Sequence, residues 1–250
     1  NVATYRLLPA YGFDPTQIIA CDSRGTLHHG RADIAAQYQL FADKWRVCME
    51  TNPDAVVGGI GEALRGADVC IAFSTPGPDV IKPAWVAKMA DAAIVFAGAN
   101  PTPEIWPWVA KEAGAAIVAT GRSDFPNQVN NSLGFPGVFR GVLDVRAQTI
   151  TDGMAIAAAR ELAIYGREKG IDEEHILPNM DDWEVFVHEA VAVGRMAQAE
   201  GIAQRTMTDQ ALSACAHQTI RRARDAIALL MEYGIIPKEE DDEQERTGNT

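Results

Sequence analysis

The chain has 250 residues, 47% hydrophobic and 22% charged, enough to bury one substantial core with a smaller satellite. No apolar run approaches the roughly 20 residues of a membrane span, and no basic-then-apolar leader is legible at the start, so a cytoplasmic protein with no membrane partner is expected. The net charge of −12, with no basic stripe interleaved with aromatics, argues against nucleic acid as a partner.

Residues 1–11 are expected as a helix and 17–21 as a buried strand, followed by turn chemistry in Asp22-Ser23-Arg24-Gly25. Helices are expected over 32–43 and, more briefly, near 61–65. Gly58, Gly59 and Gly61 do not follow a strand and lack the full dinucleotide glycine pattern, so they read as a turn that opens the short helix. Residues 68–73 form a strand ended by Ser74-Thr75-Pro76-Gly77-Pro78, and 83–90 a helix with proline at a tolerated first-turn position. Strands follow over 92–96 and 115–119, with a helix between them over 103–113 that stops at Gly114. From about residue 138 the pattern is helical only, over 150–166, 181–201 and 208–233.

Short apolar strands separated by helices indicate a parallel sheet, and the expected class is α/β, a doubly wound (Rossmann-like) parallel sheet with a C-terminal helical extension. In such sheets ligands bind at the carboxyl ends of the strands. Those ends are Asp22, Ser74 with Thr75, the run from Gly98 to Asn100, and the run from Thr120 to Asp124. Cys21, Cys48, Cys70 and Cys215 are far apart and form no C-x-x-C pair, and the five histidines lack metal-ligand spacing. A reducing compartment and no metal site in this chain are expected.

An acid at the end of the second strand of a dinucleotide fold accepts hydrogen bonds from the adenosine ribose, which places Asp22 as a candidate. Arg24, two residues on, would instead neutralise a 2′-phosphate, so NAD and NADP both stay open. The stretch from Thr120 through Asn127, Gln128, Asn130 and Asn131 to Asp144 is unusually rich in amides, prolines and glycines. Such groups can fix a carboxamide, a ribose or a carboxylate, or can bond to their own backbone as turns.

That stretch, with Phe96-Ala97-Gly98-Ala99-Asn100-Pro101-Thr102-Pro103-Glu104-Ile105-Trp106, resembles the prokaryotic malic enzymes. Asp22-Ser23-Arg24-Gly25, Gly30-Arg31 and the run from Ser74 to Pro78 are similar to that family's pattern in the same order. The resemblance covers most of residues 1–165 and is most specific over 96–144. It implies an NAD(P)-binding Rossmann-like domain over 1–165, helices over 166–237 that pack on it, and an acidic disordered tail over 238–250. It implies Asp22, Arg24, Ser74, Thr75, Asn100 and Asn130 as cofactor-binding residues, and Asn100 and Asn131 as contacts to substrate. Malate and pyruvate are the implied substrate and product, and a homo-oligomer the implied assembly. Other readings are an oxidoreductase of the amino-acid dehydrogenase kind and a catalytically silent nucleotide-binding module.

In that family hydride leaves C2 of malate for NAD or NADP, and decarboxylation follows with Mg²⁺ or Mn²⁺ as electron sink. The resemblance implies that the Lys base, the Tyr acid, the acidic metal ligands and the glycine loop all precede Asn1. It also implies that the central first strand is missing, which leaves neighbouring strands with unpaired edges. No catalytic residue and no metal ligand is therefore expected in this chain. Incubated with malate, Mn²⁺ and either dinucleotide, the 250-residue chain is expected to generate no NAD(P)H; an absorbance rise at 340 nm would contradict this.

Overall fold

The computed structural model describes residues 2–237, and the acidic segment expected as a tail, 238–250, lies outside them. The chain divides into two compact units. The first comprises residues 2–133 with 162–179, and the second 134–161 with 180–237. The boundary expected near residue 165 falls inside helix α8 (Asp152–Lys169).

The first unit opens with α1 (Val2–Tyr11), as expected. The predicted strand over 17–21 does not form. Asp14 caps a short 3-10 turn over Pro15–Gln17, its carboxylate accepting from the Thr16 backbone. Only Cys21–Asp22 (β1) is then extended, and it pairs antiparallel with Gly25–Thr26 (β2). The two-residue turn between them sets that partner: Asp22 Oδ1 accepts from Arg24 N at 2.9 Å, which folds the chain straight back. Gly25 sits at φ +117°, and a Cβ there would lie 2.3 Å from Gly58 O, so only glycine closes this hairpin. Behind it Tyr5, Leu27, Ile34, Val47 and Cys48 form a small core under α2 (Ala32–Ala35) and α3 (Ala42–Glu50). The single helix expected over 32–43 is thus two helices, and the exposed segment 36–41 between them adds nothing to that core.

After α4 (Ile60–Ala63) comes a three-stranded parallel sheet in the order β3 (Val69–Ala72), β4 (Ile94–Ala97), β5 (Ile117–Thr120). Consecutive parallel strands laid side by side need crossovers of one hand, which puts their helices on one face. Accordingly Leu64, Ile81, Val86, Ile105 and Ala110, from α4, α5 (Pro83–Val86), α6 (Pro107–Glu112) and their loops, pack with Cys70, Val95 and Val118. The other side of β3 is open: Val69, Ile71 and Phe73 are exposed, and β3 has no outer strand partner among the described residues. The α/β class and parallel strands agree with the sequence reading.

The second unit contains α7 (Phe135–Val145), the first part of α8, α9 (Glu184–Ala199) and α10 (Asp209–Glu232). Helix α7 was not expected. Its Pro136 stands in the first turn, where proline costs little, and its glycines face a neighbour. A Cβ at Gly137 would lie 2.4 Å from Glu189 Oε2, and one at Gly141 2.5 Å from Ala190 O, so α7 lies directly on α9. Val145, Met154, Ala158, Val193, Ala197 and Leu212 fill the core beside that contact.

Glu189 is fully buried there, with no hydrogen-bond partner for either carboxylate oxygen among the described residues. Burial raises its carboxyl to about 8, from the ordinary 4.5. A raised acid stabilises the fold fully below its unfolded value and loses that contribution as pH climbs through the folded value. Urea unfolding followed by circular dichroism is expected to show stability falling by on the order of 3 kcal/mol between pH 5 and pH 8.5. Glu189→Gln should flatten that slope, and an unchanged slope in the variant would contradict the assignment.

Candidate functional site

The register of the sheet builds the site. Ala72, Ala97 and Thr120 are aligned across β3, β4 and β5, so the loops that follow them leave the carboxyl edge side by side. Gly98 N donates to Ala72 O at 2.9 Å, extending the pairing one step into the loop. Ser74, Asn100 and Gly121 are thereby delivered to one edge by three consecutive strands.

Two of these loops are tied together by Glu104, whose side chain is fully buried. Its Oε1 accepts from Ser74 N at 2.6 Å and from Ser74 Oγ at 3.0 Å, and its Oε2 accepts from Ala99 N at 3.0 Å. The carboxylate therefore satisfies loop donors that would otherwise be unpaired. Sequence reasoning placed Glu104 in the first turn of a helix over 103–113. The helix instead begins at Pro107, because a residue before proline is driven out of the helical region; Trp106 has ψ 140°. That constraint, legible in the Trp106-Pro107 pair, leaves 103–106 free to turn Glu104 back under the strand ends.

Ser74 consequently has its N–H and hydroxyl engaged by Glu104, although both it and Thr75 beside it are exposed. Asn100 is exposed next to Gly121, where a Cβ would come within 2.8 Å of Asn100 Nδ2. Gly121 thus lets the Asn100 side chain and Gly98 O come close to the loop after β5. Asn130 is partly spent locally: Oδ1 accepts from Ser132 N at 3.0 Å, and Nδ2 donates to Gly121 O at 3.4 Å. Asn131, in a 3-10 turn over Asn131–Leu133, is exposed. Thr75, Asn100 and Asn131, in the loops after β3, β4 and β5, offer uncharged donors and acceptors, a chemistry that suits ribose hydroxyls, a carboxamide or a carboxylate.

The first amide of the Asn127-Gln128-Val129-Asn130-Asn131 run has a different task. Asn127 is buried, donating to Val118 O and Glu173 O and accepting from Ile176 N. It staples segment 173–176 to β5, and its burial keeps it away from a ligand. Gln128 continues the strand pairing through a bridge to Thr120.

Asp22 and Arg24 lie at the β1–β2 turn. Asp22 Oδ1 accepts from Arg24 N and Arg31 Nη1, and Oδ2 from Arg31 Nη2 and Lys44 Nζ. Burial pushes its carboxyl upward, but the hydrogen bonds from Arg31, Lys44 and Arg24 N outweigh it and hold the group at about 2. All four cysteines are free thiols, and burial, with help from Glu104, lifts Cys70 to about 12. Among the described residues no three His, Cys, Asp or Glu side chains gather to hold a metal.

Residues 14–199 match the family model described as malic enzyme, NAD binding domain. This chain belongs to the malic enzyme family. The NADP-dependent malic enzyme of Rhizobium meliloti is 39% identical over 91% of this chain and 30% of its own length. The bifunctional malic/malolactic enzyme of Bacillus subtilis is 40% identical over 83% of this chain and 48% of its own. Among solved structures, the Entamoeba histolytica malic enzyme superposes with a TM-score of 0.91 at 48% identity, covering 95% of this chain and 49% of that one. A Pyrococcus horikoshii malic enzyme gives 0.81 at 43% identity, covering 92% and 53%. The chain thus spans less than half of those two relatives' length, and the matched domain includes every strand-end loop of the site.

Replacing Glu104 by Gln leaves one face of the amide presenting N–H to N–H. A buried donor left unpaired costs about 1–3 kcal/mol. Glu104→Gln is expected to lower stability by that amount in urea titration and to raise exchange of the Ser74 and Ala99 amides, measured by hydrogen exchange. Unchanged protection of both amides would remove the clamp from the account.

Proposed function

We propose that this chain carries the NAD(P)-binding part of a malic enzyme, whose whole protein converts malate to pyruvate and CO₂ as NAD or NADP is reduced. The observation that carries the reading is that β3, β4 and β5 end in register and send three polar loops from one edge, within the stretch that matches the family's NAD-binding domain. Bound dinucleotide supplies the hydride acceptor. In this reading Asn100 faces the nicotinamide ribose and substrate, Asn130 the cofactor, and Asn131 a malate carboxylate. Ser74 and Thr75 border the cofactor backbone, with Thr75 as the available hydroxyl, since Ser74 is held by Glu104.

The divalent cation, the Lys base and the Tyr acid would come from polypeptide other than residues 1–250. The exposed row Val69, Ile71 and Phe73 supports a role as one part of a larger fold, because parallel sheets are covered on both faces. Assembly as a homo-oligomer in the cytoplasm completes the proposal.

Titration of the chain into NADH and NADPH, followed by nicotinamide fluorescence, tests it directly. Saturable binding of at least one is expected, weakened about fivefold or more by Asn100→Ala, as for the loss of one hydrogen bond. No saturable binding of either by folded chain would count against the cofactor-domain reading.

A further inference from the structure

Glu104 ties the loops after β3 and β4 together from below the surface. A second tie joins the loops after β4 and β5, and Arg122 makes it. Its Nη1 donates at 2.9 Å to Pro101 O, 21 positions back in sequence and directly after Asn100. Its Nε and Nη2 donate to Asp124 Oδ1 and Oδ2 at 2.7 Å and 2.5 Å, a bidentate pair that fixes the plane of the guanidinium. The guanidinium carbon lies over the Phe125 ring, 5.4 Å from its centroid. Phe125 in turn packs on Trp106 and Trp108, at 6.2 Å and 6.1 Å, and those two indoles stack at 5.0 Å.

The ion pair with Asp124 adds little stability by itself, because Asp124 is 54% exposed and solvent screens the contact. Its effect is directional. With the fork held by Asp124 and the ring of Phe125 against it, Nη1 is aimed at the neighbouring loop. A carbonyl and the amide that follows it share one rigid plane, so a held Pro101 O fixes the Pro101–Thr102 peptide. On the other side of Asn100, Ala99 N is held by Glu104 Oε2 at 3.0 Å. Asn100 is therefore bracketed, one neighbour tied by a buried carboxylate and the other by a guanidinium. Gly121, next to Arg122 in sequence, lets the bracketed side chain lie close to the β5 loop. A lysine at 122 could still reach a carbonyl, but it has no fork to set its direction.

We propose that Arg122 is a positioning residue for Asn100, acting through Pro101 O and without contact to the ligand, with Asp124 setting the direction of its fork. The proposal rests on the cofactor-domain reading above, in which Asn100 faces the nicotinamide ribose and substrate, and adds the residue that holds Asn100 in place. Arg122→Ala frees the Pro101–Thr102 peptide and with it the direction of Asn100. Arg122→Lys keeps a donor and the charge and falls between, as does Asp124→Ala, which leaves the guanidinium present but undirected.

Two measurements on the 250-residue chain test this, with urea unfolding as the check that each variant is folded. In the free chain, Arg122→Ala is expected to lower the steady-state heteronuclear NOE of the Thr102 amide, which shares its peptide with Pro101 O, and to leave that of Ala119 in β5 unchanged. Arg122→Lys should restore part of the Thr102 value. In fluorescence titrations with NADH and NADPH, Arg122→Ala is expected to weaken whichever binds by about fivefold or more. Added to Asn100→Ala, it should weaken binding by no more than about twofold further, because both changes act through one side chain. An additive loss in the double variant, or a loss in Arg122→Ala without one in Asn100→Ala, would make Arg122 a ligand contact and overturn the positioning role. Parent-like binding in Arg122→Ala, or an unmoved Thr102 signal, would overturn it too, and each of these outcomes leaves the cofactor reading in place. No saturable binding of either dinucleotide by the folded parent would overturn the two together.

Discussion

The buried carboxylate of Glu104 is the constraint on which the candidate site depends. Loops at the ends of parallel strands carry backbone donors that the sheet can no longer pair, and without partners those donors would draw the loops toward water. Glu104 accepts from the first polar residue after β3 and from the loop after β4, so both loops are held by one group beneath the surface. Thr75 and Asn100 are then left exposed at the rim. The arrangement separates two duties: inward-facing groups set the backbone, and outward-facing groups can meet a ligand.

The same division recurs in the amide-rich stretch after β5. Asn127 is consumed by three backbone partners and fixes segment 173–176, whereas Asn131 is exposed. Asn130 lies between, turning the chain through Ser132 N and touching Gly121 O. Four amides of like chemistry within five residues thus serve four different ends. Burial decides among them, since a buried amide must be satisfied within the protein and an exposed one need not be.

The charged turn between β1 and β2 follows the same logic with ionic groups. Asp22 is sequestered by Arg31 and Lys44, and the exposed Arg24 and partly exposed Lys44 are what the turn shows to solvent. The family includes relatives named as NAD-dependent and as NADP-dependent, so membership alone does not choose between cofactors.

From residues alone came the α/β class, the three parallel strands, the carboxyl-end loops and the last three helices, because apolar periodicity and glycine or proline punctuation are local properties. The family resemblance was likewise legible, carried by the runs 96–106 and 120–144. Tertiary structure decided the rest. The apolar run 17–21 had the composition of a strand, but the turn at Asp22 gave it a hairpin partner in place of the sheet. Gly137 and Gly141 are the contact face of a helix whose close approach to α9 no local rule reveals. Glu104 looked like a first-turn acid until Pro107 set the start of the helix and burial set its partners. In each case the outcome turned on which long-range neighbour satisfied a backbone group or filled a space, and a linear pattern does not carry that information.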